Sequence, residues 1–148
     1  MKVKETVDYH IKVSWHKIVN LYNLIAAKHN LTQASGYVLL NIDEKSGTPA
    51  TKIAPLMGMK NTSLSRMLKK METKNYIYRE KDETDGRLVK IFLTVKGIEK
   101  KEITKKVVKE FNQYILNKIP KDDLNCYFKV IDQINELTTE YKNHIIHE

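Results

Sequence analysis

Thr62, Ser63, Ser65, Arg66, Lys69, Lys70 and Lys74 occupy the outer positions of one short helical repeat. Hydroxyl, guanidinium and ammonium groups gathered in this way donate hydrogen bonds and carry positive charge, which is the chemistry that meets base edges and phosphates. Between them Leu64, Met67, Leu68 and Met71 recur at the three-to-four spacing of a buried face, so one side packs and the other stays free to read bases. A short strand follows at Tyr76, Ile77, Tyr78 and Arg79. Then comes the charged turn Lys81-Asp82-Glu83-Thr84-Asp85-Gly86-Arg87, in which Gly86 can adopt positive φ, and a returning strand over 88–94. A basic helix followed by a hairpin ending in Arg87 is the layout of a winged helix-turn-helix, and double-stranded DNA is the expected partner.

The elements that must position this segment are helical. A stripe of Val7, Ile11, Trp15, Ile18, Tyr22 and Ile25 predicts a helix over 6–29, closed by Asn30 in the left-handed conformation. Thr32 is the expected N-cap of a second helix reaching Lys45, with Ser46-Gly47 as its end. Thr48 at N-cap and Pro49 at N1 should open a short third helix, which Pro55 is expected to kink or end early. Gly58 turns the chain into the basic helix, whose cap is expected at Asn61. From Thr94 a long pattern with Ile103, Val107, Phe111, Tyr114 and Ile115 runs to Ile119, where Pro120 stops it. A last helix carries Leu124, Phe128, Ile131, Ile134, Leu137 and Tyr141. The expected fold is mainly α with a small β-hairpin wing. The long flanking helices offer more apolar stripe than a small winged unit can cover, which predicts burial against a second copy, a homodimer; intramolecular packing of the three helices is the alternative.

Composition narrows the function. The 148 residues, 41% hydrophobic and 30% charged, suffice for a single domain with its own core. Net charge is +8, and residues 50–97 hold 11 Lys/Arg against 5 Asp/Glu, whereas residues 1–49 hold 6 against 4 and residues 98–148 hold 9 against 9. A basic third between near-neutral flanks is the footprint of a polyanion partner. No apolar run approaches the ~18 residues of a membrane span and no leader pattern follows Met1, so a cytoplasmic protein with no membrane partner is expected. Cys126 cannot form an internal disulfide and reads as a half-buried structural thiol. His144 and His147 lack further ligands at matching spacing, and no metal or other cofactor is expected. With no phosphate-binding Gly loop and no His/Cys/Ser constellation, the chain does not read as an enzyme. A helical scaffold without specific DNA binding would account for the amphipathic flanks but not for the charge focus or the Asp85-Gly86-Arg87 hairpin.

These residues also carry a resemblance. The helix from Leu31-Thr32, the Gly47 turn, Ile53-Ala54 to Leu56 and Gly58, Ser65-Arg66, Met71-Glu72, Asn75 to Arg79, Asp82, Asp85, Arg87 and Leu93-Thr94 to Gly97 together resemble the MarR family of bacterial transcription regulators. The spacing from Asp85-x-Arg87 to Leu93-Thr94-x-x-Gly97 is its most specific part. Asn75 stands where the family usually has Gly, Gly86 where it often has Arg, and Pro55 lies within the first helix of the helix-turn-helix.

The resemblance implies a winged helix-turn-helix over 31–97 and helical dimerisation regions over 1–30 and 98–148. It further implies a repressor on a pseudo-palindromic operator, released by a small aromatic or anionic effector. Arg87 would enter a narrow A·T-rich minor groove, held by a charge-assisted bond from Asp85. Thr62, Ser63, Ser65 and Arg66 would face the major groove, with Arg66 forking onto a guanine, while Lys60, Lys69 and Lys74 would touch phosphates. Trp15, His16, Tyr22 and Tyr37 would line the effector cavity. Some relatives sense oxidants through a cysteine in the first helix, where this chain has none.

Overall fold

The computed structural model describes residues 2–147, and these divide into two compact units, one up to residue 107 and one from residue 108, with the boundary inside a helix. In the first unit α1 spans Val7–Ala27 and α2 spans Gln33–Leu40. A two-residue strand β1, Thr48–Pro49, leads into α3, Ala50–Met57, and α4, Asn61–Thr73. Strands β2, Ile77–Lys81, and β3, Val89–Leu93, form the hairpin, and α5, Val95–Leu116, leaves it. The second unit holds the end of α5 and α6, Lys121–His147.

Local chemistry explains most of these boundaries. The Thr32 hydroxyl accepts the Ser35 amide at 3.1 Å, and Ser35 Oγ accepts the Thr32 amide at 2.8 Å, a reciprocal capping box that starts α2. The ends of α1, α3 and α4 share one device: a left-handed residue at Asn30 (φ 58), Gly58 (φ 60) and Asn75 (φ 58). After each, the next amide returns to a carbonyl five residues back, Leu31 to Ala26, Met59 to Ala54 and Tyr76 to Met71. Asn at two of these three positions keeps the turn because its short polar side chain tolerates that region.

Several boundaries differ from the sequence expectation. Helix α2 ends at Leu40 rather than Lys45, because Asp43 captures the next turn: its carboxylate accepts the Lys45 and Ser46 amides at 2.9 and 2.7 Å. Thr48 does not cap a helix. It belongs to β1, antiparallel to β3 with Thr48 opposite Ile91 and Pro49 opposite Lys90, so the sheet has three strands in the order β1-β3-β2. Pro55 does not end α3, which continues to Met57. Thr51, whose carbonyl the missing amide would have served, is exposed like Pro55, so water can satisfy it.

The core of the first unit gathers α2, α3, α4 and the sheet around Val38, Leu39, Ile42, Ile53, Leu64, Leu68, Met71, Tyr76, Ile77, Ile91 and Leu93. Each large aliphatic side chain so buried contributes roughly 1.5–3 kcal/mol. In the second unit Leu124 is buried.

The entry into α5 depends on one close approach. The Thr94 amide donates to Tyr76 O at 3.1 Å, while its hydroxyl donates to Asn75 O at 2.7 Å and accepts the Gly97 amide at 2.9 Å. Thr94 therefore caps α5 and fastens it to the α4–β2 turn. At Gly97 a Cβ would fall on the Tyr76 carbonyl, so only glycine lets the two backbones meet there.

Candidate nucleic-acid interface

Helix α4 presents two chemically distinct faces. Leu64, Leu68 and Met71 are buried, while Asn61, Thr62, Ser63, Ser65, Arg66, Lys69 and Lys70 are exposed. The cap differs from expectation: Lys60 holds the N-cap backbone (φ −71, ψ 146) without a side-chain cap, and Asn61 is the first helical residue. Asn61 thus joins the exposed polar face, because its side chain is not used to close the helix. With no side-chain cap and no acid in the first turn, the leading amides of α4 favour an anion in front of them.

Ion pairing separates the cations of this region. Arg79 meets Glu72 at 3.0 Å and Lys90 meets Asp82 at 2.6 Å, so these two brace the base of the hairpin. Among the described residues no carboxylate lies within ion-pair distance of Lys60, Arg66, Lys69 or Arg87, all of which are exposed. Unpaired exposed cations on one helix and one hairpin tip leave their full charge available to phosphate. Lys74 is different: its ammonium donates to Asn30 O at 3.1 Å and lies 6.0 Å from the centroid of the Tyr76 ring, which ties α4 to the end of α1. The ammonium expected to touch phosphate is thus held by a backbone carbonyl in this structure, although the residue is exposed.

The hairpin tip is organised by two aspartates. Asp82 accepts the Thr84 amide at 2.9 Å, its hydroxyl, and the Asp85 amide at 3.1 Å. The Lys90 ammonium above all, followed by the Thr84 and Asp85 contacts, holds the Asp82 carboxyl far below the usual carboxylate range. Asp85 Oδ1 accepts the backbone amide of Arg87 at 3.0 Å, and Leu88 N–H closes the turn on Asp85 O at 2.9 Å. Asp85 therefore orients the Arg87 backbone rather than gripping its guanidinium. Gly86 is not at positive φ either, because side-chain carboxylates supply the turn that a left-handed residue would have made.

A pH expectation follows from Asp82. Its folded pKa is depressed, so the contribution of its contacts is fully present above the unfolded carboxylate value, about 3.9, and is lost only as pH falls through the lower folded value. Amide-exchange protection at Thr84 and Asp85 should persist down to about pH 4 and disappear in stronger acid, while Asp82→Asn should lose it at neutral pH. Loss of protection in the parent well above that pH would contradict the assignment.

Of the aromatic set near the N-terminus, Trp15 and Tyr37 meet edge-on with centroids 6.5 Å apart, Tyr22 is buried, and His16 is exposed. Cys126 is exposed rather than half-buried, on a helix whose stripe residues Phe128, Leu137 and Tyr141 are exposed as well. His144 and His147 lie in the last turn of α6.

A polar, cation-bearing second helix in a helix-turn-helix, braced by a three-stranded sheet with a charged tip, defines a winged helix-turn-helix. The MarR family model matches residues 31–89. The HTH-type transcriptional regulator SarZ of Staphylococcus aureus (strain USA300) is 32% identical over 104 residues, covering 68% of this chain and 70% of that protein. Among solved structures, the S. aureus MepR–DNA complex superposes with a TM-score of 0.82 at 20% identity, covering 88% of this chain and 97% of that one. The transcriptional repressor CouR bound to a 23-mer DNA duplex gives 0.77 at 24% identity, covering 90% and 94%. The chain belongs to the MarR family. It is a transcription regulator rather than an enzyme.

Proposed function

We propose that this protein is a sequence-specific binder of double-stranded DNA that acts as a homodimeric repressor in the cytoplasm. The observation that carries the reading is the unpaired set Lys60, Arg66, Lys69 and Arg87, exposed on α4 and the wing beside the hydroxyls of Thr62, Ser63 and Ser65. The DNA-bound state of MepR and CouR supports it. The homodimer rests on apolar residues that the single chain leaves exposed: Val7, Ile11 and Trp15 on α1, and Phe128, Leu137 and Tyr141 on α6. In the same reading Trp15 and Tyr37, with His16 and Tyr22 on the same helix as Trp15, are where a small aromatic or anionic effector would bind and release DNA. No helix among the described residues is long and apolar enough to cross a membrane.

Selection from a random duplex pool, followed by light scattering on the free and bound protein, tests the proposal. The expected product is a pseudo-palindrome with half-sites roughly one DNA turn apart, bound by a dimer with marked salt sensitivity. A protein that stays monomeric at micromolar concentration and on duplex DNA would remove the symmetric operator. Absence of salt-sensitive duplex binding would leave a helical scaffold as the better account.

A further inference from the structure

Lys101 on α5 is the buried charged residue among those described, 7% exposed. Its ammonium donates to the Ile42 carbonyl at 2.7 Å and meets Glu44 at 3.1 Å. Lys105, one turn on, reaches the same carboxylate at 3.4 Å, and the Glu44 carboxyl is held below its usual range chiefly by Lys101. A cation withdrawn from water at this position is a weak way to gain stability, since an apolar side chain would pack there without desolvation; what the ion pair adds is a single permitted arrangement.

The segment that it grips is one hydrogen-bonded piece. Asp43 N–H donates to Thr48 Oγ1 at 2.9 Å, Gly47 N–H returns to Asp43 O at 3.2 Å, and the Thr48 hydroxyl donates to Asn41 O at 3.2 Å. Thr48 then enters β1, which pairs with β3 opposite Ile91 and Lys90. Lys90 holds Asp82, whose carboxylate builds the hairpin tip that carries Arg87. A continuous chain of contacts thus runs from Lys101 to the wing.

We propose that Lys101 is a positioning residue for DNA recognition: by clamping the Ile42 carbonyl and Glu44 to α5, it fixes the 41–48 loop and, through the β1–β3 pairing, the stance of the wing. The proposal rests on the reading that the wing meets DNA. Coupling of this kind between packed elements changes affinity by factors that only a mutant cycle can assign.

The test measures binding of the parent, Lys101→Met, Glu44→Gln, Arg87→Ala and the Lys101→Met/Arg87→Ala double variant to the selected duplex at several salt concentrations. It adds amide exchange of the DNA-free proteins. Lys101→Met should bind about 3- to 30-fold more weakly with an unchanged log-log salt slope, because no phosphate contact is removed. Glu44→Gln, which keeps an oxygen for the Lys101 ammonium, should show a smaller loss in the same direction. In the Arg87→Ala background the effect of Lys101→Met should largely vanish, since the wing then has no arginine to place. Amides of Asp43, Ser46 and Gly47 should exchange faster in Lys101→Met while those of Leu64 and Leu68 stay protected.

Equal losses in both backgrounds would show a general structural role, and a slope reduced by about 1 would show a phosphate contact; either overturns the proposal. A parent that binds while Lys101→Met and Glu44→Gln match it overturns this proposal alone. A parent that binds no duplex overturns the DNA reading and this proposal with it.

Discussion

Gly97→Ala should unfold at a clearly lower urea concentration than the parent, with a loss of about 1–3 kcal/mol or more. Helix propensity argues the other way, because alanine in a helix interior is favoured over glycine by about 1 kcal/mol. The contact decides the sign. A Cβ at position 97 would fall on the Tyr76 carbonyl oxygen and stand 3.0 Å from its carbon, so backbone rather than a flexible side chain must yield. The same carbonyl accepts the Thr94 amide at 3.1 Å, and the Thr94 hydroxyl caps Gly97 at 2.9 Å, so moving the two backbone segments apart also loosens the start of α5. A Gly97→Ala midpoint equal to that of the parent would show that α5 can slide without cost, and the junction would lose its assigned role.

The second large effect concerns DNA. Arg66→Ala should cost about 1–3 kcal/mol at the preferred site and relax choice among bases in the major groove, as expected for a fork onto a base edge. Lys69→Ala should weaken all sequences nearly alike and lower the log-log salt slope by about 1. For Arg87→Ala the loss should be greatest on duplexes whose half-site flanks are A·T-rich, where a narrow minor groove attracts the guanidinium most. Asp85→Ala should give a milder form of the Arg87 effect, because its carboxylate accepts the Arg87 backbone amide at 3.0 Å and so orients that residue. Lys74→Ala should behave differently again: its ammonium is bound to Asn30 O, so the change acts on the α1–α4 junction more than on phosphate. Binding of each variant to a panel of duplexes across salt concentrations separates these outcomes. Equal, small effects for Arg66, Lys69, Asp85 and Arg87 would mean that this face does not meet DNA.

Features set by neighbours a few residues apart were readable before the structure. The Thr32 cap, the left-handed Asn30, and the alternation of Leu64, Leu68 and Met71 with polar positions on α4 all follow from local rules, and all stand in the structure. The MarR resemblance rests on such local signals, above all on the spacing from Asp85-x-Arg87 to Leu93-Thr94-x-x-Gly97, and the capping bond and the Tyr76 contact explain the Thr94-x-x-Gly97 part of it. What escaped was set at a distance. Strand β1 is two residues long and exists because Ile91 and Lys90 lie beside it, so the Thr-Pro pair reads as a helix start until that partner is known. Lys101 interrupts the apolar pattern of α5 and looks like a surface lysine, although its place three residues after Ile98 on the packed side was a usable signal. The site was legible in residue type but not in role. Asp85 and Arg87 are where the hairpin pattern puts them, yet whether a carboxylate holds a backbone amide or a guanidinium depends on the turn geometry, which composition does not encode.

The β1-β3-β2 order places the wing's two flanking strands at the rims of the sheet, where unpaired backbone groups could recruit another chain. Pro49 lacks the amide that a recruited strand would need, and β1 is too short to template one. On the opposite rim Arg79, Glu80 and Lys81 crowd β2 with charge of both signs. A hairpin with both rims exposed is thereby kept from growing edge to edge into aggregates.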